Sequence, residues 1–279
     1  MSDRRVLVTG ATGTLGREVV AVLDGRDDAE VRIASRRARP SEAPERHEWR
    51  TVDLTTGPLA PLVADTDAVI HLASGKGSGE ADVRATSRLL DAALGARVRH
   101  VVVVSIVGAD RIPLPFYASK QGIEALVRAS AVPWSIVRIA QFHSFVERLV
   151  AAPAGLPLPQ PIVADLRFQP VDEHEAAEVL VDVALGPPRG MAPEVAGPEI
   201  LTLGEIAATW LAVSGATARL LPLTLESVAE ALVPEPAVAD WALPTLEGYR
   251  AAENTPSGER VLGRVTFREW LGRRRGSER

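Results

Sequence analysis

Three glycines at regular spacing constrain this chain more than any other feature. In VTGATGTLG, Gly10, Gly13 and Gly16 follow directly on the apolar run RVLVTG and open the amphipathic stretch GREVVAVLDG, which Gly25 closes. An apolar strand, a glycine turn and a helix in that order point to one kind of architecture. The tight turn needs one glycine, close approach of backbone to a pyrophosphate needs another, and packing of strand on helix needs the third. The first helical turn then offers free N–H groups and a positive dipole end to the phosphates. The motif predicts a dinucleotide site built on Gly10, Ala11, Thr12, Gly13, Thr14, Leu15 and Gly16.

The same alternation continues. EVRIAS (30–35), HEWRTVDL (47–54), TDAVIHLAS (66–74), RHVVVVS (99–105) and WSIVRIA (134–140) read as strands. EADVRATSRLLDAALGARV and a segment from about Phe116 to Ala131 read as helices between them. This rhythm predicts an α/β chain with a doubly wound parallel sheet. After residue 140 it breaks: AAPAGLPLPQP (151–161) is a Pro-rich loop, and Asp172 with Glu175, then Thr202 with Glu205, read as capping boxes that start helices. EVAGPEI is a candidate strand returning to the sheet. The expected organisation is a dinucleotide-binding domain over 1–140 and a smaller substrate lobe over 141–279, partly returning to the sheet at 170–200.

The end of the second strand selects the dinucleotide. An NAD site places an acid there to accept from the ribose 2′-OH. Here the strand ends in Ser35, Arg36 and Arg37, and Glu30 lies at its other end. Guanidinium groups suit a 2′-phosphate, so NADP(H) is the expected cofactor. A net charge of −5 argues against a nucleic-acid partner. With no cysteine there are no thiolate metal sites or disulfides, and the five histidines have no H-x-x-x-H or H-E-x-x-H spacing, so no metal is expected. No G-x-S-x-G elbow occurs. No apolar run is long enough to span a bilayer and the first strand leaves no room for a leader, so a cytoplasmic protein acting on a small molecule is expected. The chain holds 29 arginines but only two lysines, Lys76 and Lys120. Where charge alone matters arginine has been used, which singles out the lysines as groups whose pKa can be tuned.

The glycine loop, Asp53-Leu54, VIHLAS and WSIVRIAQFHSF resemble the atypical short-chain dehydrogenase/reductases of the NmrA-like, NAD(P)H-binding type. The resemblance extends through FQPVDEHEAAEVL and GPEILTLGEIA. It implies a Rossmann domain with a small C-terminal substrate lobe. It also implies that Asp53 and Leu54 flank the adenine, that Leu72, Ala73 and Ser74 line the path to the nicotinamide ribose, and that Ile139, Ala140, Gln141 and Phe142 pass close to the nicotinamide. The fold itself hosts reductases, epimerases and non-catalytic sensors.

In active members of that superfamily a Tyr four residues before a Lys donates the proton, the Lys binds the nicotinamide ribose, and a Ser at the preceding strand end steadies the substrate oxygen. Ser105 and Lys120 match two of these. Phe116 stands four residues before Lys120 and Tyr117 three before, about 100° further round a helix. Three readings stay open. Tyr117 serves as the acid, or Lys120 does, or the site has lost proton transfer. Phe116 and His143 are candidate substrate contacts, and Lys76 in SGKGSG is a candidate for the pyrophosphate or a solvent-facing residue. The leading expectation is an NADPH-dependent reductase of a small carbonyl, enone or quinone. The alternatives are an NADP(H) sensor and a non-redox, epimerase- or cyclase-like enzyme.

Overall fold

The computed structural model describes residues 4–41, 46–75, 79–151, 160–216, 220–232 and 236–277. Lys76 and most of the Pro-rich stretch, 152–159, lie outside the described residues. The elements of the first half are β1 (Arg4–Thr9), α1 (Thr14–Asp24), β2 (Ala29–Ser35), β3 (Glu48–Thr51) and α2 (Ala60–Val63). Then come β4 (Ala68–His71), α3 (Glu80–Gly95), β5 (His100–Ile106), α4 (Pro115–Ala129) and β6 (Trp134–Ile139).

The chain divides into two compact units, and it passes between them several times. The first comprises Met1–Ser105, Ala118–Arg138 and Glu173–Pro193. Its sheet runs β3-β2-β1-β4-β5-β6, parallel at every one of the first four pairings. Val8 of β1 faces Ile33 on one side and Ile70 on the other. Helices flank the sheet, which makes it a Rossmann-type doubly wound fold. The order reverses beside β1: α1 leads out to β2, and the chain later returns to place β4 on the other edge of β1. That reversal is the switch point where such sheets bind ligands.

Burial on both faces explains the unbroken apolar strands. Val101, Val102 and Val103 are all fully buried, each stabilising the fold by roughly 2 kcal/mol relative to exposure. Leu89 and Ala93 of α3 and Ile123 and Val127 of α4, each pair one helical turn apart, belong to the same core as Leu7, Val69 and Ile136. The third strand ends at Thr51 rather than at the expected Leu54, and Asp53 makes a turn there. Its carboxylate accepts from Thr55 N at 2.8 Å, and its carbonyl from Gly57 N at 2.7 Å. Helix Glu173–Leu185 packs on α1.

The second unit comprises Ile106–Tyr117, Ile139–Asp172 and Glu194–Arg279. Strand Glu194–Ala196 pairs in parallel with Arg260–Leu262 and, through Val195, with Ile139. Helix Leu203–Ser214 starts at the capping box expected from its sequence: Thr202 Oγ1 accepts from Glu205 N at 3.2 Å, and Glu205 accepts from Thr202 N at 2.8 Å. Ile112, Phe168, Ile206, Trp210, Tyr249 and Phe267 fill its core.

Candidate functional site

In the first unit, Gly10 leaves β1 with φ +72°, a left-handed conformation in which a side chain is strained. A Cβ there would stand 2.6 Å from the Leu72 carbonyl carbon and 2.7 Å from Ala73 N, and one on Gly16 only 2.2 Å from Gly10 O. The turn is closed by Gly13 N donating to Gly10 O at 2.9 Å. Ala11 and Leu15 are buried anchors, Gly13 and Thr14 are exposed, and Thr12 is half-buried. Among the described residues no side chain caps α1, and no acid stands in its first turn. The amide end of that helix is open to an anion.

The backbone facing Gly10 is held by a chain of hydrogen bonds that no sequence pattern announces. Thr9 Oγ1 accepts from Leu72 N at 3.2 Å and Ala73 N at 3.3 Å. It also meets His71 Nδ1 at 2.7 Å, while His71 Nε2 meets Thr86 Oγ1 at 3.0 Å. Thr86 Oγ1 spends its one proton on Asp82 O at 2.8 Å, so it must accept from His71 Nε2–H. Nδ1 is therefore an acceptor and Thr9 donates to it. The ring is neutral, and burial, with the Lys120 charge adding to it, pushes its pKa down to about 4.

This neutrality has a pH signature. Below the ordinary histidine value of about 6.5 the unfolded chain takes up a proton that native His71 refuses until about pH 4. Stability is complete above pH 6.5 and falls by about 3 kcal/mol as the pH drops through this window. Urea midpoints measured between pH 4 and 7 are expected to fall more steeply for the wild type than for His71→Gln.

At the far end of β2, the turn of Ser35, Arg36 and Arg37 is fixed from both sides. Ser35 Oγ accepts from Arg37 N at 3.0 Å, and the Trp49 indole donates to Arg37 O at 3.0 Å. Both guanidiniums are exposed, and Glu30 pairs with Arg5 at 3.0 Å at the opposite end of the strand. Asp53 lies below the usual carboxylate range, chiefly through its bonds to Thr55, with the Arg36 charge adding to them. Leu54 is buried, and Arg88 Nη2 donates to Gly57 O at 2.8 Å, securing the turn between them.

Lys120 and Ser105 also belong to the first unit. Ser105 is fully buried near the end of β5, and its hydroxyl has no hydrogen-bond partner among the described residues. Burial holds the Lys120 ammonium below the usual lysine range, and the Asp82 carboxylate opposes that shift. Asp82, in the first turn of α3, accepts from Ser74 Oγ at 2.8 Å and Gly75 N at 2.7 Å.

The remaining candidates lie in the second unit. Tyr117 is buried, its Oη 2.6 Å from Tyr249 Oη and accepting from Gln141 Nε2 at 3.0 Å. Burial raises the pKa of both phenols. Gln141 Oε1 in turn accepts from Asn254 Nδ2 at 3.1 Å. Phe116 is exposed at the start of α4, where Tyr117 N donates to Leu114 O at 2.7 Å. Ile139 and Ala140 are buried, Ala140 N bonding Val195 O, and Phe142 bridges to Val171. His143 is buried against Phe267 and Trp270, and its Nε2–H donates to Val265 O at 3.0 Å.

A glycine turn that only a bare backbone can fill, an open helix end and the switch point beside it define a dinucleotide-binding Rossmann protein. The chain belongs to the NAD(P)H-binding family, whose model matches residues 10–151. A (4-alkanoyl-5-oxo-2,5-dihydrofuran-3-yl)methyl phosphate reductase of Streptomyces griseus is 29% identical over 95% of this chain and 96% of its own length. An NAD(P)H azoreductase of Xenophilus azovorans is 26% identical, over 81% of this chain and 80% of its own. In fold, the NADPH-dependent quinone oxidoreductase of Escherichia coli, solved with NADPH, superposes with a TM-score of 0.75 at 18% identity, covering 96% of this chain and 99% of that one. Among the described residues no cluster suited to a metal ion occurs, and no helix is long and apolar enough to cross a membrane.

Proposed function

We propose that the protein is an NADPH-dependent reductase of a small carbonyl, enone or quinone acceptor, with Lys120 as its proton donor. One observation carries the reading. Lys120, one of only two lysines, sits largely buried with Asp82 as counter-charge in the unit that holds the glycine turn. Burial makes its ammonium a stronger acid than an exposed lysine, which favours proton delivery to a developing oxyanion. The names of the Streptomyces griseus and Xenophilus azovorans relatives, both reductases, support the same class.

In this reading the Gly10–Gly16 amides hold the pyrophosphate, and Arg36 and Arg37 hold the 2′-phosphate. Asp53 and Leu54 lie along the adenine, and Leu72 to Ser74 along the nicotinamide ribose. The bound nucleotide supplies a hydride. Lys120 delivers a proton to the substrate oxygen that gains charge, and the Ser105 hydroxyl donates a hydrogen bond to that oxygen. Tyr117 is left out of the chemistry, because its hydroxyl is committed to Tyr249 and Gln141. NADPH oxidation with quinones and enones is expected to fall by about a hundredfold or more in kcat on Lys120→Ala. Calorimetry should show a smaller loss of NADPH affinity, with NADPH favoured over NADH by at least about tenfold. Unchanged turnover in the variant would refute the role of Lys120.

A second reading, a non-catalytic NADP(H) sensor, is favoured by Phe116 in the usual tyrosine place. Unequal affinities for NADP⁺ and NADPH without turnover of any acceptor would establish it.

A further inference from the structure

We propose that Asp82 is the positioning residue of this site, fixing the segment after β4 with both carboxylate oxygens and serving as the counter-charge to Lys120. The inference rests on the reading of Lys120 given above. Three geometric features support it. Asp82 is itself buried, and its two oxygens are divided between Ser74 Oγ and Gly75 N, the two groups that follow the Leu72–Ala73 backbone facing Gly10. Its own carbonyl ends the Thr9–His71–Thr86 chain that holds that backbone from the other side. The loop is thus gripped at both ends by one residue of α3.

The third feature is how α3 meets α4. Gly79, just before α3, has φ +78°, and a Cβ there would stand 2.2 Å from Ser119 Cβ. The absent side chain lets the start of α3 approach α4 at the residue preceding Lys120. Asp82 lies one turn into α3 from that contact, which brings its charge to bear on Lys120. Among the described residues, the titratable groups whose charge acts on or responds to Lys120 include Asp82 on α3 and His71 on β4. His71 is neutral at physiological pH, which leaves Asp82 as the charged member of that pair. Glu124, one turn on along α4, is committed to Arg138 and Arg128.

A buried lysine without a counter-charge gives up its proton. Asp82 therefore raises the pH at which Lys120 gives up its proton. Clamp and charge can be separated, because in Asp82→Asn the amide oxygen still accepts from Gly75 N while its NH₂ donates to Ser74 Oγ. With only two lysines in the chain, biosynthetic [ε-13C]lysine labelling yields two side-chain signals, and Lys120→Arg assigns them. The Lys120 titration midpoint is expected to move down by about one pH unit in Asp82→Asn, tenfold in its protonation constant. Asp82→Ala, which loses the clamp together with the charge, should weaken NADPH binding more than Asp82→Asn does, by about tenfold relative to wild type. A Lys120 midpoint unmoved in Asp82→Asn overturns the proposal. Should that variant fail to fold, the size-matched pair Asp82→Glu and Asp82→Gln decides: a lower midpoint in the Gln member supports it, and equal midpoints overturn it. Because the nuclear resonance readout needs no turnover, absence of reductase activity would sink the functional reading and leave this one standing.

Discussion

Gly10→Ala is expected to abolish nucleotide binding at ordinary concentrations while the rest of the sheet persists. A left-handed φ costs alanine about 1 kcal/mol. Steric overlap costs more. The new Cβ would lie 2.6 Å from the Leu72 carbonyl carbon and 2.7 Å from Ala73 N, both backbone atoms without a rotamer to change. Relief requires the turn after β1 and the segment after β4 to separate by roughly 1 Å, the gap between those distances and ordinary van der Waals contact. That motion breaks the alignment of the amides between Gly10 and Gly13, and it strains the bonds from Leu72 N and Ala73 N to Thr9 Oγ1. Backbone strain, overlap and lost hydrogen bonds together reach roughly 4 kcal/mol, or about a thousandfold in NADPH dissociation constant by calorimetry. Gly25→Ala is the control: φ there is −82°, the nearest neighbour of an added Cβ is Val22 O at 3.5 Å, and stability should change by less than about 0.5 kcal/mol. Full-affinity NADPH binding by Gly10→Ala would show that the turn is not the phosphate cradle.

Much of this site was legible in the sequence because its signals are local. A strand, three spaced glycines and an amphipathic helix lie within twenty-odd residues, and Thr202 and Glu205 announce a helix start three residues apart. The arginines after β2 and the lysine of α4 are likewise visible as residues in motif positions. What stayed hidden depends on partners far apart in the chain. His71 reads as one more residue of a buried strand, and only folding shows Thr9 and Thr86 at its two nitrogens. Asp82 looks like a favourable acid in a first helical turn, with nothing to say that it grips Ser74 and Gly75. Tyr117 is the sharpest case. Its place beside a lysine motif suggested chemistry, yet its hydroxyl meets Tyr249, 132 residues later, and no spacing rule anticipates that pair. The interleaving of the two units is hidden for the same reason, since apolar periodicity identifies elements but not which core each one joins.

Glu124→Ala is expected to be the most destabilising substitution within α4, and the reason lies in what it leaves behind. Glu124 is buried, and its carboxylate accepts from Arg138 Nε at 2.8 Å and Nη2 at 2.9 Å, a two-bond fork joining α4 to β6. Removing the acid takes this two-bond fork away from a largely buried guanidinium, and breaking such a pair from one side costs about 3–5 kcal/mol. The second partner, Arg128, is nearly half exposed, so its bond to Glu124 contributes less than about 1 kcal/mol, and Arg128→Ala should be close to neutral. The decisive comparison is the double variant Glu124→Met, Arg138→Leu. If desolvation of charge governs the site, replacing both ions by apolar groups of similar volume restores most of the stability lost on Glu124→Ala. If packing around Glu124 governs it, the double variant is at least as unstable as the single one. Urea unfolding of all four proteins distinguishes the two, and nucleotide affinity adds a functional check. Glu124 lies one turn beyond Lys120 on the same helix, so loosening the fork should weaken NADPH binding even under conditions where Glu124→Ala remains folded.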